Sequence, residues 1–343
     1  MIEVIQSLPP QLLNSLPLQP LNSLTPPLPL QLLTMKIAVL DLGTNTFHLL
    51  IVNVNRNGTF KKLFKSKIPV KLGEGAINKN IIAEVPFHRG LEALKHYSEI
   101  LKKYKPEKIV TYATSGIRSA RNGKRFIAAV RKETGIKIRV ISGAKEAELI
   151  YYGVRGSIQM SEEKQLIMDI GGGSTEFIIA NGKRIFWKES FNIGASRLLE
   201  RFKPSDPIKP SEIKKLEAYL SGSLLPVSKA IKKYPVQSLV GSSGSFDTLA
   251  EMIGWKYHRK NILKNRETYH FDLKEYFSLH QSLLKSTTAQ RMKMKGLIKM
   301  RVDMIVVASI CTNLILKKYG LKHLMLSKSA LKEGALWEAI QNL

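Results

Sequence analysis

The sequence predicts an α/β protein of two domains that share a duplicated phosphate clamp, and three observations carry that prediction. The first is a repeated pattern: Asp41-Leu-Gly-Thr-Asn-Thr-Phe-His-Leu-Leu and, 128 positions later, Asp169-Ile-Gly-Gly-Gly-Ser-Thr-Glu-Phe-Ile-Ile. Each aspartate ends an apolar run, and each pattern then passes through a tight Gly/Ser/Thr turn into a second apolar run, which is strand, polar turn, strand. The second is the alternation of short apolar runs with segments of helical spacing from Met35 onward. The third is size: 343 residues, 44% of them hydrophobic and 24% charged, suffice for two domains with their own cores.

Strands are predicted over 36–41, 46–54 and about 59–72, followed by a helix over 86–104 with Leu91, Leu94, Tyr97, Ile100 and Leu101 at helical spacing. KIVTYAT reads as a strand, 120–134 as a helix, IKIRVIS as a strand and 145–154 as a helix. The second hairpin, 165–180, opens a similar series: a strand over 184–190, helices near 195–202 and 211–233, and the strand SLVG. Helices fill most of the remaining chain, including a long apolar one over 301–318 and a final one over 330–341 that suits either domain. The polar, turn-like segment GSIQMSEEKQ marks the boundary. The expected domains are therefore 35–155, which 330–343 is free to join, and 156–329.

Residues 1–34 stand apart, with seven prolines, eleven leucines and a single charge, Glu3. A secretory signal needs a basic start and an unbroken apolar core, and the spread of prolines prevents a spanning helix. This leader is expected to be disordered and functionally silent. The apolar run 302–316 contains Asp303 and Asn313 and is too short to cross a bilayer, so no membrane partner is expected. Cys311 lies inside that run and reads as a buried small hydrophobe; one cysteine allows neither a disulfide framework nor a thiolate metal site, and a cytoplasmic location fits. Seven scattered histidines include no HExxH pattern.

A balance of 54 Lys+Arg against 27 Asp+Glu gives a field that attracts polyanions. No pattern of interleaved aromatic and basic residues supports a nucleic-acid partner. Oligomeric state is left open, a homodimer included.

The chemistry comes from the turns. Gly lets backbone amides face an anion at close range and Ser/Thr hydroxyls add donors, so Gly43, Thr44 and Asn45 form one candidate phosphate turn and Gly171, Gly172, Gly173 and Ser174 the other. Asp41 and Asp169 sit where each could hold a divalent cation or a water beside that anion. A third turn at Gly241-Ser242-Ser-Gly-Ser is a candidate phosphate contact or simply a strand-to-helix connection. Thr114-Ser115-Gly116-Ile-Arg118 also ends a strand and opens a helix, where an arginine can grip phosphate or form a surface ion pair. Glu146 falls in a first helical turn, a position that capping and the helix dipole explain by themselves. Glu176 either binds a metal or points outward from its strand.

With these stretches in view, the chain resembles the exopolyphosphatase / guanosine pentaphosphate phosphohydrolase family of the actin-like ATPase superfamily. DLGTNTFHLLI, ATSGIRSARN, VISGAKEAELIYYGV, DIGGGSTEF, GSSGSFDTLA, GLIKMRVDMIV and LSKSALKEGAL occur in the family's order and cover nearly everything from Met35 to the end. The resemblance implies two ribonuclease-H-like domains flanking a cleft and hydrolysis of terminal phosphoanhydrides with Mg²⁺, on polyphosphate or guanosine pentaphosphate. It implies Glu146 as the group that activates the attacking water, Asp169 as the metal- or water-binding aspartate, Glu176 as the next acidic group of that set and Arg118 as the arginine of the TSxxR stretch. Asp41 joins the metal-binding set. Departures lie in LSKSALKEG, where Lys328, Ser329 and Lys332 replace the family's Asp, Gly and Arg, and at Lys145, where an acidic residue is common. The chain resembles a short, two-domain form of the family. The alternative of a different class is a catalytically weak regulatory protein that binds guanosine polyphosphates.

Overall fold

The computed structural model describes residues 34–343, and the reading of 1–34 as a disordered leader lies, but for its last residue, outside the described residues. The first half builds an antiparallel meander, β1 (Met35–Leu42), β2 (Thr46–Val54) and β3 (Phe60–Pro69), followed by α1 (Glu84–Tyr104), β4 (Lys108–Ala113), α2 (Ser115–Arg118), α3 (Gly123–Thr134), β5 (Arg139–Val140) and α4 (Gly143–Ser157). The sheet order is β3-β2-β1-β4-β5, with β4 parallel to β1 and β5 parallel to β4.

The second half repeats the plan: β6 (Gln165–Ile170), β7 (Thr175–Ala180), β8 (Ile185–Phe191), α5 (Ala195–Phe202), α6 (Pro210–Ser223), α7 (Leu225–Lys233), β9 (Ser238–Ser242) and α8 (Gly244–Tyr257). It continues with β10 (Thr268–Phe271), α9 (Leu273–Leu284), α10 (Thr288–Met292), α11 (Ile305–Lys318), β11 (His323–Ser327) and α12 (Leu331–Gln341). Its order is β10-β11-β9-β6-β7-β8, again a meander with parallel strands added beside its first member, plus one antiparallel edge strand. The two sheets make a pair of ribonuclease-H-like domains.

Three differences from the sequence expectation have physical causes. The predicted strand IKIRVIS keeps only Arg139 and Val140 in the sheet, both exposed at its edge. The predicted helix over 211–233 breaks at Leu224, because Pro226 cannot continue the helix and instead sits in the first turn of α7. β10 and β11 were not expected. The run His323–Ser327 is buried but for its first residue, so it lacks the alternation that distinguishes a strand from a helix.

The domains are joined by a shared core. Ile37, Val39 and Leu50 of the first sheet and Ile167, Ile178 and Val240 of the second belong to one apolar cluster, completed by Leu149 and Ile150 of α4 and Leu331, Ala335 and Leu336 of α12. α4 packs on β7 and β8, whereas α12 returns to pack on β1 and β2, so each sheet is covered by a helix from the other half of the chain. The two helices meet backbone to backbone. A Cβ on Gly334 would stand 1.8 Å from the Leu149 carbonyl oxygen, and one on Gly153 would stand 2.1 Å from the Ala330 oxygen. Gly334→Ala is therefore expected to lower stability by about 2–3 kcal/mol through forced separation of the helices. Gly156→Ala, in the same helix as Gly153 but with open space around it, should be neutral or slightly stabilising. Thermal unfolding of the two variants checks this, and equal melting temperatures would overturn the close-packing account.

Candidate active site

The two repeated motifs fold into the same object. β1 and β2 are joined through Gly43–Thr46 and β6 and β7 through Gly171–Ser174; each loop is closed by its first amide donating to its last carbonyl, Gly43 to Thr46 at 3.1 Å and Gly171 to Ser174 at 3.0 Å. Four other carbonyls of the turns are tied up by neighbouring donors. Asn45 O accepts from the amides of Val70 and Lys71, Gly171 O from Ala195 N, and Gly172 O from Ser196 N, while Gly173 O takes the Arg197 Nε–H at 3.1 Å. Thr44, Asn45, Gly172, Gly173 and Ser174 are left with amides that meet no protein acceptor among the described residues. Groups of this kind are what an anion requires.

The turns touch. A Cβ on Gly172 would fall 2.5 Å from Asn45 Nδ2, and one on Gly173 would fall 2.6 Å from both Thr44 Oγ1 and Ser115 Oγ, so larger residues there would separate the domains. Ser115 Oγ is buried and has no hydrogen-bond partner among the described residues, at the point where the turns converge. The cavity beside them measures about 180 Å³.

Of the residues predicted from sequence, Asp41, Gly43, Thr44, Asn45, Glu146, Asp169, Gly171, Gly172, Gly173, Ser174 and Glu176 all line this one cavity. Glu146 is placed by a local device. Ser142 caps α4, accepting from Lys145 N at 3.1 Å, and Gly143 lets the first turn approach Ser190 of β8, where a Cβ would leave only 2.4 Å. Glu146 thereby enters the space between the domains, 7% exposed, with its Oε2 accepting from Arg118 Nη1 at 2.7 Å. Arg118 thus acts on the cleft through Glu146; its Nη1 also donates to the Ile141 carbonyl at 3.1 Å.

Three of the expected phosphate contacts, Arg118, Gly241 and Ser242, lie off the cavity wall. Gly241 is needed for packing, since a Cβ would lie 2.1 Å from the Phe246 ring, and Ser242, opposite Asp169 across the β6–β9 ladder, is fully buried and donates to the Ser329 carbonyl. The third turn reaches the cleft through its next residues, Ser243, Gly244 and Ser245, at the start of α8.

Sequence reasoning did not select His48, Asp247 or Arg301 for the cleft, and it noted Lys328 and Lys332 only as departures; all five line it. Lys332 is buried and pairs with Glu333 at 2.9 Å. Lys328 Nζ is committed to the carbonyls of Arg266 at 2.8 Å and Leu263 at 3.2 Å. Lys145 points elsewhere, into a network with Glu148 and Glu338.

The electrostatics are those of crowded acids. Burial raises Asp41 to about 7, against the pull of Lys332 and with Glu146 and Asp169 adding to the rise. Burial likewise raises Glu146 to about 7 despite Arg118, and Asp169 to about 6 despite the hydroxyls of Ser243 and Ser242. Glu176 is pushed well above the usual range by burial and then by Glu146 and Asp169, although Ser190 Oγ donates to it at 2.6 Å. Such a set favours a cation that neutralises it. Asp41 and Asp169 close the first strand of each hairpin and offer hard carboxylate oxygens to the same cavity, which suits Mg²⁺, an ion held by one or two carboxylates with waters and substrate phosphates completing the shell. No group of three His, Cys, Asp or Glu side chains forms an all-protein metal cage among the described residues, so Asp41, Asp169 and Glu176 do not make one.

Two ribonuclease-H-like domains that close matched turns, with unpaired backbone amides among the described residues, on a buried glutamate define the class of fold and site. Within that class the chain belongs to the Ppx/GppA phosphatase family, whose pattern matches residues 50–343. It is similar to an exopolyphosphatase from Cytophaga hutchinsonii, 39% identical, with 90% of this chain and 98% of that one covered at a TM-score of 0.86. The Aquifex aeolicus Ppx/GppA family member shares the fold at 23% identity and a TM-score of 0.75, with 90% of this chain and 99% of that one covered. A bifunctional 3-dehydroquinate synthase/phosphatase from Fusobacterium nucleatum is 33% identical over 316 residues, 89% of this chain; the chain spans about half the length of that relative, 46%.

Proposed function

We propose that this chain hydrolyses terminal phosphoanhydride bonds with Mg²⁺, acting as an exopolyphosphatase with guanosine pentaphosphate as the second candidate substrate. The observation that carries the reading is the placement of Glu146, buried on Arg118 at 2.7 Å and lining the cavity that both anion turns enter. Phosphoryl transfer needs positioning and charge neutralisation more than covalent help. The amides of the two turns and the hydroxyls of Thr44 and Ser115 hold the terminal phosphate. Glu146 orients a water and takes its proton; the water oxygen bonds to the terminal phosphorus as the bridging P–O bond breaks, giving orthophosphate and a chain one unit shorter. Arg118 keeps the Glu146 carboxylate aimed and its charge balanced. Asp41 and Asp169 would hold Mg²⁺, which would supply neutralisation of the phosphate charge.

The test is phosphate release by the whole chain with Mg²⁺ from long-chain polyphosphate, guanosine pentaphosphate and ATP. Release from polyphosphate above the other two is expected. Tight guanosine pentaphosphate binding with no release from any of them would replace the hydrolase by a binding protein.

A further inference from the structure

β3 forms one edge of the first sheet, and its ladder with β2 sorts its residues by face. Opposite His48, Leu50 and Val52 stand Lys67, Lys65 and Lys62, the last displaced by a bulge, so one face of the edge strand carries three lysines and no acid. The other face, with Phe64 and Ile68 opposite Ile51 and Phe47, packs on the core. The lysine row starts at the cleft, because its first cross-strand partner, His48, lines the cavity together with Lys332 and Arg301. It ends at Lys62, which reaches Glu267 beside β10 of the second domain at 3.5 Å. Among the described residues neither Lys65 nor Lys67 makes an ion pair.

Lysines on an edge strand also guard against sheet-to-sheet pairing, but that duty does not require the row to begin beside the cavity, as this one does at His48. Here the charges are of one sign and work against one another. Partial burial lowers Lys65, with Lys332 adding to the effect, and lowers Lys67, with Arg301 adding. His48 is held well below its usual range by burial and then by Lys332, Lys67, Lys65 and Arg301, so it is neutral. Glu333 and Glu267 act on Lys65 from a distance and Asp247 on Lys67, but neither lysine is paired among the described residues, so both can meet an anion that arrives from outside.

We propose that Lys67, Lys65 and Lys62 form a rail leading out of the cleft that holds the phosphates of a long linear polyanion behind the one being cleaved. The proposal rests on the hydrolase reading above and deepens it: the rail makes the enzyme selective for chain length. Alternate strand positions are about 6.6–6.8 Å apart, so the contacts follow an extended chain and a compact substrate reaches only the first of them.

The test compares kcat/KM for long-chain polyphosphate and for tripolyphosphate across a salt series, with direct binding of long-chain polyphosphate measured alongside. Lys65→Gln/Lys67→Gln should lower the long-to-short ratio about tenfold, as expected for two exposed charge contacts. It should also flatten the salt dependence for the long chain by about 1.4 in log–log slope, by analogy with single-stranded nucleic acid. Lys65→Arg/Lys67→Arg should keep the ratio, and Lys102→Gln/Lys103→Gln, which removes the same charge from the end of α1, should leave it unchanged. An unchanged ratio in Lys65→Gln/Lys67→Gln, or an equal fall in the α1 control, would overturn the rail. If the wild-type chain binds polyphosphate without cleaving it, the hydrolase reading falls, and the rail stands or falls on whether Lys65→Gln/Lys67→Gln weakens that binding.

Discussion

Glu146→Gln is expected to reduce phosphate release by about 10²–10⁴-fold, the range spanned by a positioned general base. The substitution keeps the shape of the side chain and one hydrogen-bond acceptor for Arg118 while removing the basic oxygen. Substrate binding should survive or tighten, because one negative charge leaves a cleft that also holds Asp41, Asp169, Glu176 and Asp247. Calorimetry with a substrate that the variant no longer turns over separates the two effects. Full turnover by Glu146→Gln would remove this residue from the chemistry.

The same residue makes a prediction about pH. Glu146 sits at about 7 in the folded protein against 4.5 for an ordinary glutamate, so the base form appears as pH rises through 7 and kcat/KM should climb there. Stability should run the other way. A raised carboxylate pKa means that the native state binds more protons than the unfolded chain between those two values, so stability falls as pH rises from about 4.5 to about 7. The shift corresponds to about 3 kcal/mol, less whatever Arg118 loses with its partner. Glu146→Gln should therefore melt higher than wild type at pH 8, and the gap should close at pH 5. A site that costs stability where it is active is the expected signature of a catalytic carboxylate.

Much of this site was legible because its parts are local. A strand, a short Gly-containing turn and a second strand lie within 20 consecutive residues in the first copy (Met35–Val54) and 16 in the second (Gln165–Ala180), and the aspartate near the first strand's end belongs to the same pattern. Asp41 and Asp169 could be placed by counting, and so could both turns. The third turn was read as a whole, but the two residues singled out in it, Gly241 and Ser242, are the two that do not line the cavity, since Gly-Ser-Ser-Gly-Ser reads alike at every step and only the end of β9 decides that Ser242 pairs beside Asp169 while Ser243 opens the cleft. Arg301, Lys328 and Lys332 were beyond reach for a different reason. They join the turns only through packing of the last quarter of the chain, where β11 and α12 return to the middle of the molecule, and an isolated lysine in a helical run carries no local sign of burial.

Lys332→Met is expected to destabilise the protein by about 3–5 kcal/mol at pH 8, the usual result of stripping one partner from a buried charge cluster. Burial alone would pull the Lys332 ammonium down, yet Glu333, Asp41 and Asp247 together hold it raised, so the lysine stays charged as the internal counter-ion of the cleft. Met has nearly the volume of Lys, which leaves charge as the main change. Without it, Asp41 loses its largest opposing influence and its pKa climbs above the present value of about 7. At pH 8 the folded chain must then either ionise Asp41 with no neighbouring ammonium or take up a proton that the unfolded chain lacks, and both cost stability. At pH 5 to 6 Asp41 is protonated in the folded state, and the penalty shrinks. Unfolding free energies at the two pH values check the sign: a loss that stays constant with pH would mean that Lys332 serves packing and not charge balance. A lysine supplies that cation as a point charge, without the bidentate fork a guanidinium would bring.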